Sequence, residues 1–143
     1  MPDYIFCGCT GITSITIPDG VTSIGDGVFS RTSLKSVVIP DSVTTLDGFA
    51  FKDCQFIKTA IISKNVTTIG SGIFEGCTAL TSVTLPQGLK TIGSGSFRDC
   101  TKLSCVNIPA SVNYIYDSAF SNCVALTSIT SPENVTYISN SAF

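Results

Sequence analysis

Seven phenylalanines recur along this chain at an almost constant interval. They are 23 residues apart, with one step of 22, at Phe6, Phe29, Phe51, Phe74, Phe97, Phe120 and Phe143. A period between about 20 and 50 residues indicates one short supersecondary unit stacked on copies of itself, because a single unit cannot bury its own apolar face. The spacing therefore predicts a repeat solenoid.

The composition suits one folded domain and argues against several classes of partner. The chain has 143 residues, of which 43% are apolar and 13% are charged, and its net charge is −2. Eight scattered basic side chains give no basic patch for nucleic acid. No apolar run approaches the roughly 20 residues that cross a bilayer, so no membrane insertion is expected. No signal peptide is evident at the start.

Aligned on phenylalanine, the chain divides into one domain, 1–143, made of about six coils of 23 residues. Residues 1–11 resemble the end of a preceding coil. The coils that follow are 12–33, 34–56, 57–79, 80–102, 103–125 and a truncated 126–143. Neither end carries a polar cap of the kind that closes most solenoids, so we expect a segment of a longer protein.

Each coil opens with the alternation of a strand. In the coil that begins at Leu80, Val83 and Leu85 are predicted to face the core and Thr84 to face outward. A proline then ends the strand because it lacks a backbone donor. This proline column comprises Pro18, Pro40, Pro86, Pro109 and Pro132, with Ser63 as the exception.

The rest of each coil predicts a second, shorter strand and a tight return. Apolar pairs such as Val66 and Ile69 indicate the second strand. Gly25, Gly70 and Gly93 share the next column, which suggests a bend with unusual backbone dihedrals. A short helical or 3₁₀ turn is then expected to carry the phenylalanine inward.

The repeat resembles a known family. Residues 80–102 combine a Leu-x-x-Val-x-Leu-Pro opening, a Leu-x-x-Ile-Gly middle and a Phe-x-x-Cys close. This pattern is similar to the Treponema-type leucine-rich repeat of BspA-like surface proteins, and it covers the whole chain. The departures are Ser131, in place of Ile or Leu, and a residue missing between Ser30 and Leu34.

The resemblance implies the fold and the general role. It implies a mainly β, curved solenoid with a parallel sheet on the concave side and short strands, turns or 3₁₀ segments on the other faces. It also implies a cell-surface or secreted protein that binds or adheres to host, matrix or surface proteins. The family has no shared catalytic residues to transfer.

Cysteine is the residue type most suggestive of chemistry. Five of the seven share one column, Cys9, Cys54, Cys77, Cys100 and Cys123. We interpret this column as core packing, because buried thiols behave as small apolar groups. Without histidine or a close Cys-x-x-Cys pair, no metal site or cofactor is predicted. Cys7 and Cys105 fall at surface columns, where an exposed thiol is either open to oxidation or simply tolerated.

Other motifs give no catalytic prediction. Serine and cysteine triads need a histidine, and this chain has none. The glycine-rich stretches belong to the repeat and are not followed by Gly-Lys-Ser or Gly-Lys-Thr. We therefore expect no enzyme. Asn65 and Asn134 begin two glycosylation sequons that the repeat itself creates, and their occupancy stays open.

The outward side chains of the concave strands are the predicted protein-binding surface. They are Thr16, Val38, Ile61, Thr84, Asn107 and Thr130, joined by Cys105. Val38 and Ile61 are apolar where the column is otherwise polar. Phe49 and Phe56, both in the coil 34–56 that also contains Val38, either extend this apolar surface or turn inward to fill space beside the shortened coil.

The exposed concave surface and the uncapped ends of the solenoid suggest two possible functions. The first is a non-catalytic protein-binding or adhesion module of a cell-surface or secreted protein. The alternative is a structural segment that forms homo-oligomers by stacking through its uncapped ends.

Overall fold

A computed structural model describes residues 1–130 and 133–143. The predictions made for Ser131 and Pro132 lie outside these residues. The described chain forms eleven short strands: β1 (Ser23–Ile24), β2 (Ser36–Val38), β3 (Thr45–Leu46), β4 (Thr59–Ile61), β5 (Thr68–Ile69), β6 (Ser82–Thr84), β7 (Thr91–Ile92), β8 (Cys105–Asn107), β9 (Tyr114–Ile115), β10 (Ser128–Thr130) and β11 (Tyr137–Ile138). Three-residue and two-residue strands alternate along the chain, as the repeat predicts.

All strand pairs are parallel and join equivalent positions of successive coils. The three-residue strands form the ladders β2-β4-β6 and β8-β10, and the two-residue strands form β1-β3 and β5-β7-β9-β11. Val37 pairs with Ala60, and Ala60 pairs with Val83. Because the register repeats coil by coil, one column of the sequence becomes one row of the structure.

The three-residue strands have the predicted two faces. In β6 the middle residue, Val83, is buried and its neighbours Ser82 and Thr84 are exposed. Leu85 is buried just beyond the strand. The first coil differs, since the described backbone over 12–17 forms no strand. Its contact with the next coil includes a hydrogen bond from Lys35 to the Thr13 carbonyl.

The phenylalanine column forms a continuous stack through the core. Successive ring centroids from Phe6 to Phe143 lie 5.3 to 5.8 Å apart, and the ring planes differ by at most 14°. Phe29, Phe51, Phe74 and Phe97 are fully buried. Each buried phenyl ring stabilises the fold by roughly 2–3 kcal/mol through loss of apolar surface from water.

The segment around each phenylalanine is a pair of turns, and the prediction of a helical or 3₁₀ turn is wrong. Left-handed residues flank the phenylalanine on both sides, such as Phe49 (φ 54°) and Asp53 (φ 58°) around Phe51. A left-handed residue breaks the run of right-handed dihedrals that a helix needs. Among the described residues the segment contains isolated turns and no helix.

The predicted bend at Gly25, Gly70 and Gly93 is also wrong, because the left-handed backbone lies two residues later in the sequence. Close packing explains these glycines instead. A Cβ on Gly93 would lie 2.7 Å from the Ile69 carbonyl oxygen and 2.9 Å from the Gly70 carbonyl carbon. At Gly93 the missing side chain lets this coil approach the preceding one, whereas Asp47, Tyr116 and Ser139 occupy the same column in other coils.

Candidate binding surfaces

The outward side chains of the concave strands are exposed in a single file, as predicted. Thr16, Val38, Ile61, Thr84, Asn107 and Thr130 all reach solvent. Cys105 is exposed beside them at the start of β8. Thr16 lies in the first coil, where the described backbone forms no strand, and for the other residues the alternation of the strand puts the side chain opposite the core.

Val38 and Ile61 form an apolar pair in this file, which we call the Val38–Ile61 patch. They are register partners on β2 and β4, and their side chains are 60% and 47% exposed. Both line a shallow hollow that also contains Pro40 and Asp41. Hydrogen bonds from Lys64 lower the pKa of Asp41, so this rim carboxylate is ionised at neutral pH.

Phe49 and Phe56 remain at the surface, so the alternative in which they turn inward is wrong. Phe49 is 37% exposed and Phe56 is 58% exposed. The Phe49 ring covers Gly72 of the following coil, where a Cβ would lie 2.5 Å from the ring. The ammonium of Lys52 lies 5.2 Å from the centroid of that ring.

These two rings do not line the hollow at the Val38–Ile61 patch. Phe56 borders another hollow with Arg31, Asp53 and Gln55. Phe49 belongs to the turns around Phe51 and contacts Gly72 and Lys52. The structure therefore supports the Val38–Ile61 patch as a unit and leaves the two rings as separate surface features.

The cysteine column is a packed row for four of its five members. Cys54, Cys77, Cys100 and Cys123 are buried. Each thiol donates to the carbonyl of the phenylalanine one coil earlier, for example Cys77 to Phe51 at 3.1 Å. Burial raises the pKa of all four thiols, that of Cys123 to about 11. These thiols are therefore held as neutral donors.

Cys9 is exposed, contrary to the prediction that its column is packed throughout. The buried thiols each bond to a preceding coil, and Cys9 belongs to the first coil of the described stack. Cys7 is exposed as predicted. Its column is not uniformly exposed, however, because Glu75 and Ser30 are buried there.

Glu75 is a buried charge that the sequence did not reveal. Its carboxylate pairs with the Lys52 ammonium at 3.2 Å and with the Arg98 guanidinium. The three residues belong to successive coils, so the carboxylate links coils on both sides of its own. A buried carboxylate needs such partners because its desolvation is costly.

The two sequon asparagines share one structural role. The side-chain amide of Asn65 donates to the Asp41 carbonyl at 2.7 Å, and that of Asn134 donates to the Ala110 carbonyl at 3.0 Å. The donor in each case is Nδ2, the atom to which a glycan would be attached. Both asparagines thus tie a turn to the preceding coil.

Three tyrosines form the cluster that sequence reasoning missed. Tyr114, Tyr116 and Tyr137 are 44%, 41% and 47% exposed. The ring centroid of Tyr116 lies 6.4 Å from that of Tyr114 and 5.8 Å from that of Tyr137. The available signal was their departure from columns that hold small residues in other coils.

Within residues 1–130 and 133–143, no three or more His, Cys, Asp or Glu side chains group closely enough to hold a metal ion. In the same described residues, no helix has the length and apolar character to span a bilayer.

Comparison with known proteins shows a repeat shared with bacterial proteins. The family model described as "BspA type Leucine rich repeat region (6 copies)" matches residues 1–123 and 46–143. Among curated proteins, none matches this chain.

Solved structures match over nearly the whole chain. A leucine-rich repeat protein from Eubacterium ventriosum is 35% identical with a TM-score of 0.87, and the match covers 94% of this chain and 37% of that one. The T. pallidum leucine-rich repeat protein is 31% identical with a TM-score of 0.89, with coverage of 94% and 64%. A leucine-rich cell surface protein from Faecalibacterium prausnitzii is 34% identical with a TM-score of 0.78, with coverage of 90% and 33%. This chain thus spans less than two thirds of each.

Proposed function

This chain belongs to the BspA-type leucine-rich repeat family, and from that premise we propose that it is a non-catalytic protein-binding module whose concave sheet makes the contact. Regular solenoids offer extended surfaces that suit protein partners. The absence of histidine and the raised thiol pKa values of the buried cysteines support a role without catalysis.

The Val38–Ile61 patch is the observation that carries this proposal. Its two side chains are exposed at a column where Thr84, Asn107 and Thr130 show that a polar residue fits the same strand. Packing of the core therefore does not require valine or isoleucine here. Apolar side chains grouped on a solvated sheet face are typical of a contact surface.

The location and biological setting follow the family. We place the protein at the cell surface or in secreted form, with adhesion to a host or matrix protein as its role. The support is the neighbour from Faecalibacterium prausnitzii, which is described as a cell surface protein.

The test is a binding screen with a patch variant. Purified extracellular-matrix and host surface proteins are immobilised, and binding of the wild-type chain is measured by surface plasmon resonance. Val38→Thr/Ile61→Thr should weaken binding by about tenfold or more, since residues at the centre of an interface carry most of its energy.

Val124→Thr is the matched control for this screen. Val124 is 74% exposed, and Thr78 and Thr101 occupy its column in other coils. This variant should bind as the wild type does. If the patch variant and the wild type bind the same protein with equal affinity, the Val38–Ile61 patch is not the contact surface.

Self-association is the second candidate function, and the end of the stack favours it. Phe143 continues the phenyl stack 5.4 Å from Phe120 and is 57% exposed. A second copy of the chain would cover this ring with its own first coil. Sedimentation of the wild type should then show concentration-dependent dimers that Phe143→Ser abolishes. A monomer at every concentration would rule this candidate out.

A further inference from the structure

The tyrosine cluster is an aromatic surface on the second sheet, on a face separate from the Val38–Ile61 patch. Tyr114 and Tyr137 are register partners on β9 and β11. Tyr116 follows β9 directly, and its ring lies between the other two. Three partly exposed rings therefore form a continuous aromatic area along two coils.

The repeat shows that the fold does not need these rings. The column of Tyr114 and Tyr137 holds Ser23, Thr45, Thr68 and Thr91 in the other coils. The column of Tyr116 holds mostly glycine and other small or polar residues. The same short strands form in those coils, so the rings are additions to a surface that the backbone already specifies.

A shallow hollow adjoins the cluster, and its surface is mostly apolar with a few hydroxyl groups. Tyr116 is the one tyrosine of the cluster that lines it, and the remaining lining is uncharged: Thr68, Ile69, Gly70, Ser71, Thr91, Gly93 and Ser94. Gly70 and Gly93 keep the floor low, because neither has a side chain. The hollow therefore presents an aromatic wall over a floor of backbone and short side chains.

The hydroxyl groups of the tyrosine cluster and of the adjoining hollow are available to a ligand. Over the described residues, no hydrogen bond to protein engages the phenolic oxygens of Tyr114, Tyr116 and Tyr137. The same holds there for the side-chain hydroxyls of Ser71 and Ser94. A hydroxyl both donates and accepts, so this set matches a ligand that is itself rich in hydroxyls.

We propose that the tyrosine cluster and its adjoining hollow bind a neutral saccharide. The C–H face of a sugar ring packs on an aromatic ring, and its hydroxyls bond with the surrounding serine, threonine and tyrosine hydroxyls. No cationic side chain lines the hollow to attract a phosphate or a carboxylate. A neutral ligand fits that lining better than an anionic one.

The experiment measures saturation transfer from protein to ligand by NMR. The probes are maltohexaose, cellohexaose and chitohexaose, each at up to about 10 mM because a shallow site binds weakly. A decamer of proline is a fourth probe, since aromatic-lined grooves also bind polyproline helices. We expect transfer to the ring C–H protons of at least one saccharide and none to the proline decamer.

The variants use residues that other coils already carry at the same columns. Tyr114→Thr/Tyr116→Gly/Tyr137→Thr should lower the affinity by about tenfold or more. Tyr116→Gly alone serves if the triple variant does not fold, and should lower it by about threefold. Tyr4→Gly is the control, because Tyr4 lies on another coil and covers Gly27. It should bind as the wild type does.

The results that overturn the proposal are distinct from those of the protein-binding screen. Absence of transfer to all three saccharides overturns it, as does transfer that Tyr116→Gly leaves unchanged. Transfer to the proline decamer alone assigns the cluster to a peptide and likewise overturns it. None of these results bears on the Val38–Ile61 patch.

Discussion

Single side chains in the phenyl stack carry much of the stability of this fold. Phe74 is fully buried, with the ring of Phe51 at 5.4 Å on one side and that of Phe97 at 5.8 Å on the other. Phe74→Ala removes the ring from both neighbours and leaves a cavity. The free energy of unfolding should fall by about 3–5 kcal/mol, measured by urea denaturation.

A phenylalanine-to-alanine substitution at the surface serves as the control, because it changes the same residue type without removing a buried ring. Phe56 is 58% exposed and lies outside the stack. Phe56→Ala should change the free energy of unfolding by about 0.5 kcal/mol or less. Similar losses at the two positions would contradict the stacked core.

The buried thiols should make the free energy of unfolding fall at alkaline pH. Burial raises the pKa of Cys123 from its ordinary value near 9 to about 11. Between these two values the folded chain keeps a thiol proton that the unfolded chain releases. The contribution of Cys123 to the free energy of unfolding is therefore complete below pH 9 and is lost as the pH rises through 11. Urea denaturation of the wild type at pH 8 and pH 10 should show the decline.

Cys123→Ala isolates the contribution of this thiol. Other groups titrate equally in both proteins, so the variant should lose less stability than the wild type between pH 8 and pH 10. Ellman's reagent adds a direct count on the folded wild type. Cys7, Cys9 and Cys105 should react at once, and the other four cysteines only on unfolding.

Between elements, the close approach of coil 80–102 to coil 57–79 depends on Gly93. A Cβ on Gly93 would lie 2.7 Å from the Ile69 carbonyl oxygen, and backbone atoms cannot move aside as a flexible side chain can. Gly93→Ala should therefore cost about 1–3 kcal/mol in the free energy of unfolding. Thermal and urea denaturation measure the loss.

Gly88 provides the matched glycine. No atom lies within 4 Å of a Cβ built there, and its backbone is not left-handed. Gly88→Ala should be neutral or stabilise by about 0.5 kcal/mol, because alanine narrows the unfolded ensemble. Equal destabilisation by both substitutions would argue against close packing at Gly93.

The strands and the core were predictable from the sequence, and the turns were not. Strand alternation and the phenylalanine period report burial directly, so β6 and the stack around Phe74 follow from residue type alone. The conformation of a turn depends on contacts between coils. Phe49 adopts a left-handed conformation at a column where glycine is usual, and Gly93 is glycine because of its neighbour's backbone. Neither reason is visible within one coil.

The candidate surfaces were predictable only where a column breaks its own pattern. Val38 and Ile61 stood out because the other residues of their column are polar. Tyr114 and Tyr137 break a serine and threonine column in the same way, yet their clustering with Tyr116 depends on ring positions in space. Taken alone, a glutamate such as Glu75 is expected at the surface. Its burial depends on Lys52 and Arg98, which pair with it from the neighbouring coils.

Across the whole molecule, each coil touches only its neighbours, so position in the stack decides the energetic value of a residue. Ile92 and Ile138 occupy equivalent columns on β7 and β11. Ile92 is fully buried, whereas Ile138 in the last coil is 47% exposed. The same substitution at these two positions therefore compares the middle of the stack with its end.

Ile92→Ala should lower the free energy of unfolding by about 2–5 kcal/mol, and Ile138→Ala by about 0.5 kcal/mol or less. Hydrogen exchange should agree, because the last coil opens without the rest while a central coil opens only with its neighbours. Amides of β11 should then exchange faster than those of β7. If the two substitutions cost the same, the chain unfolds as one unit in which the end coil is as tightly held as the centre, and a nearest-neighbour stack does not describe it.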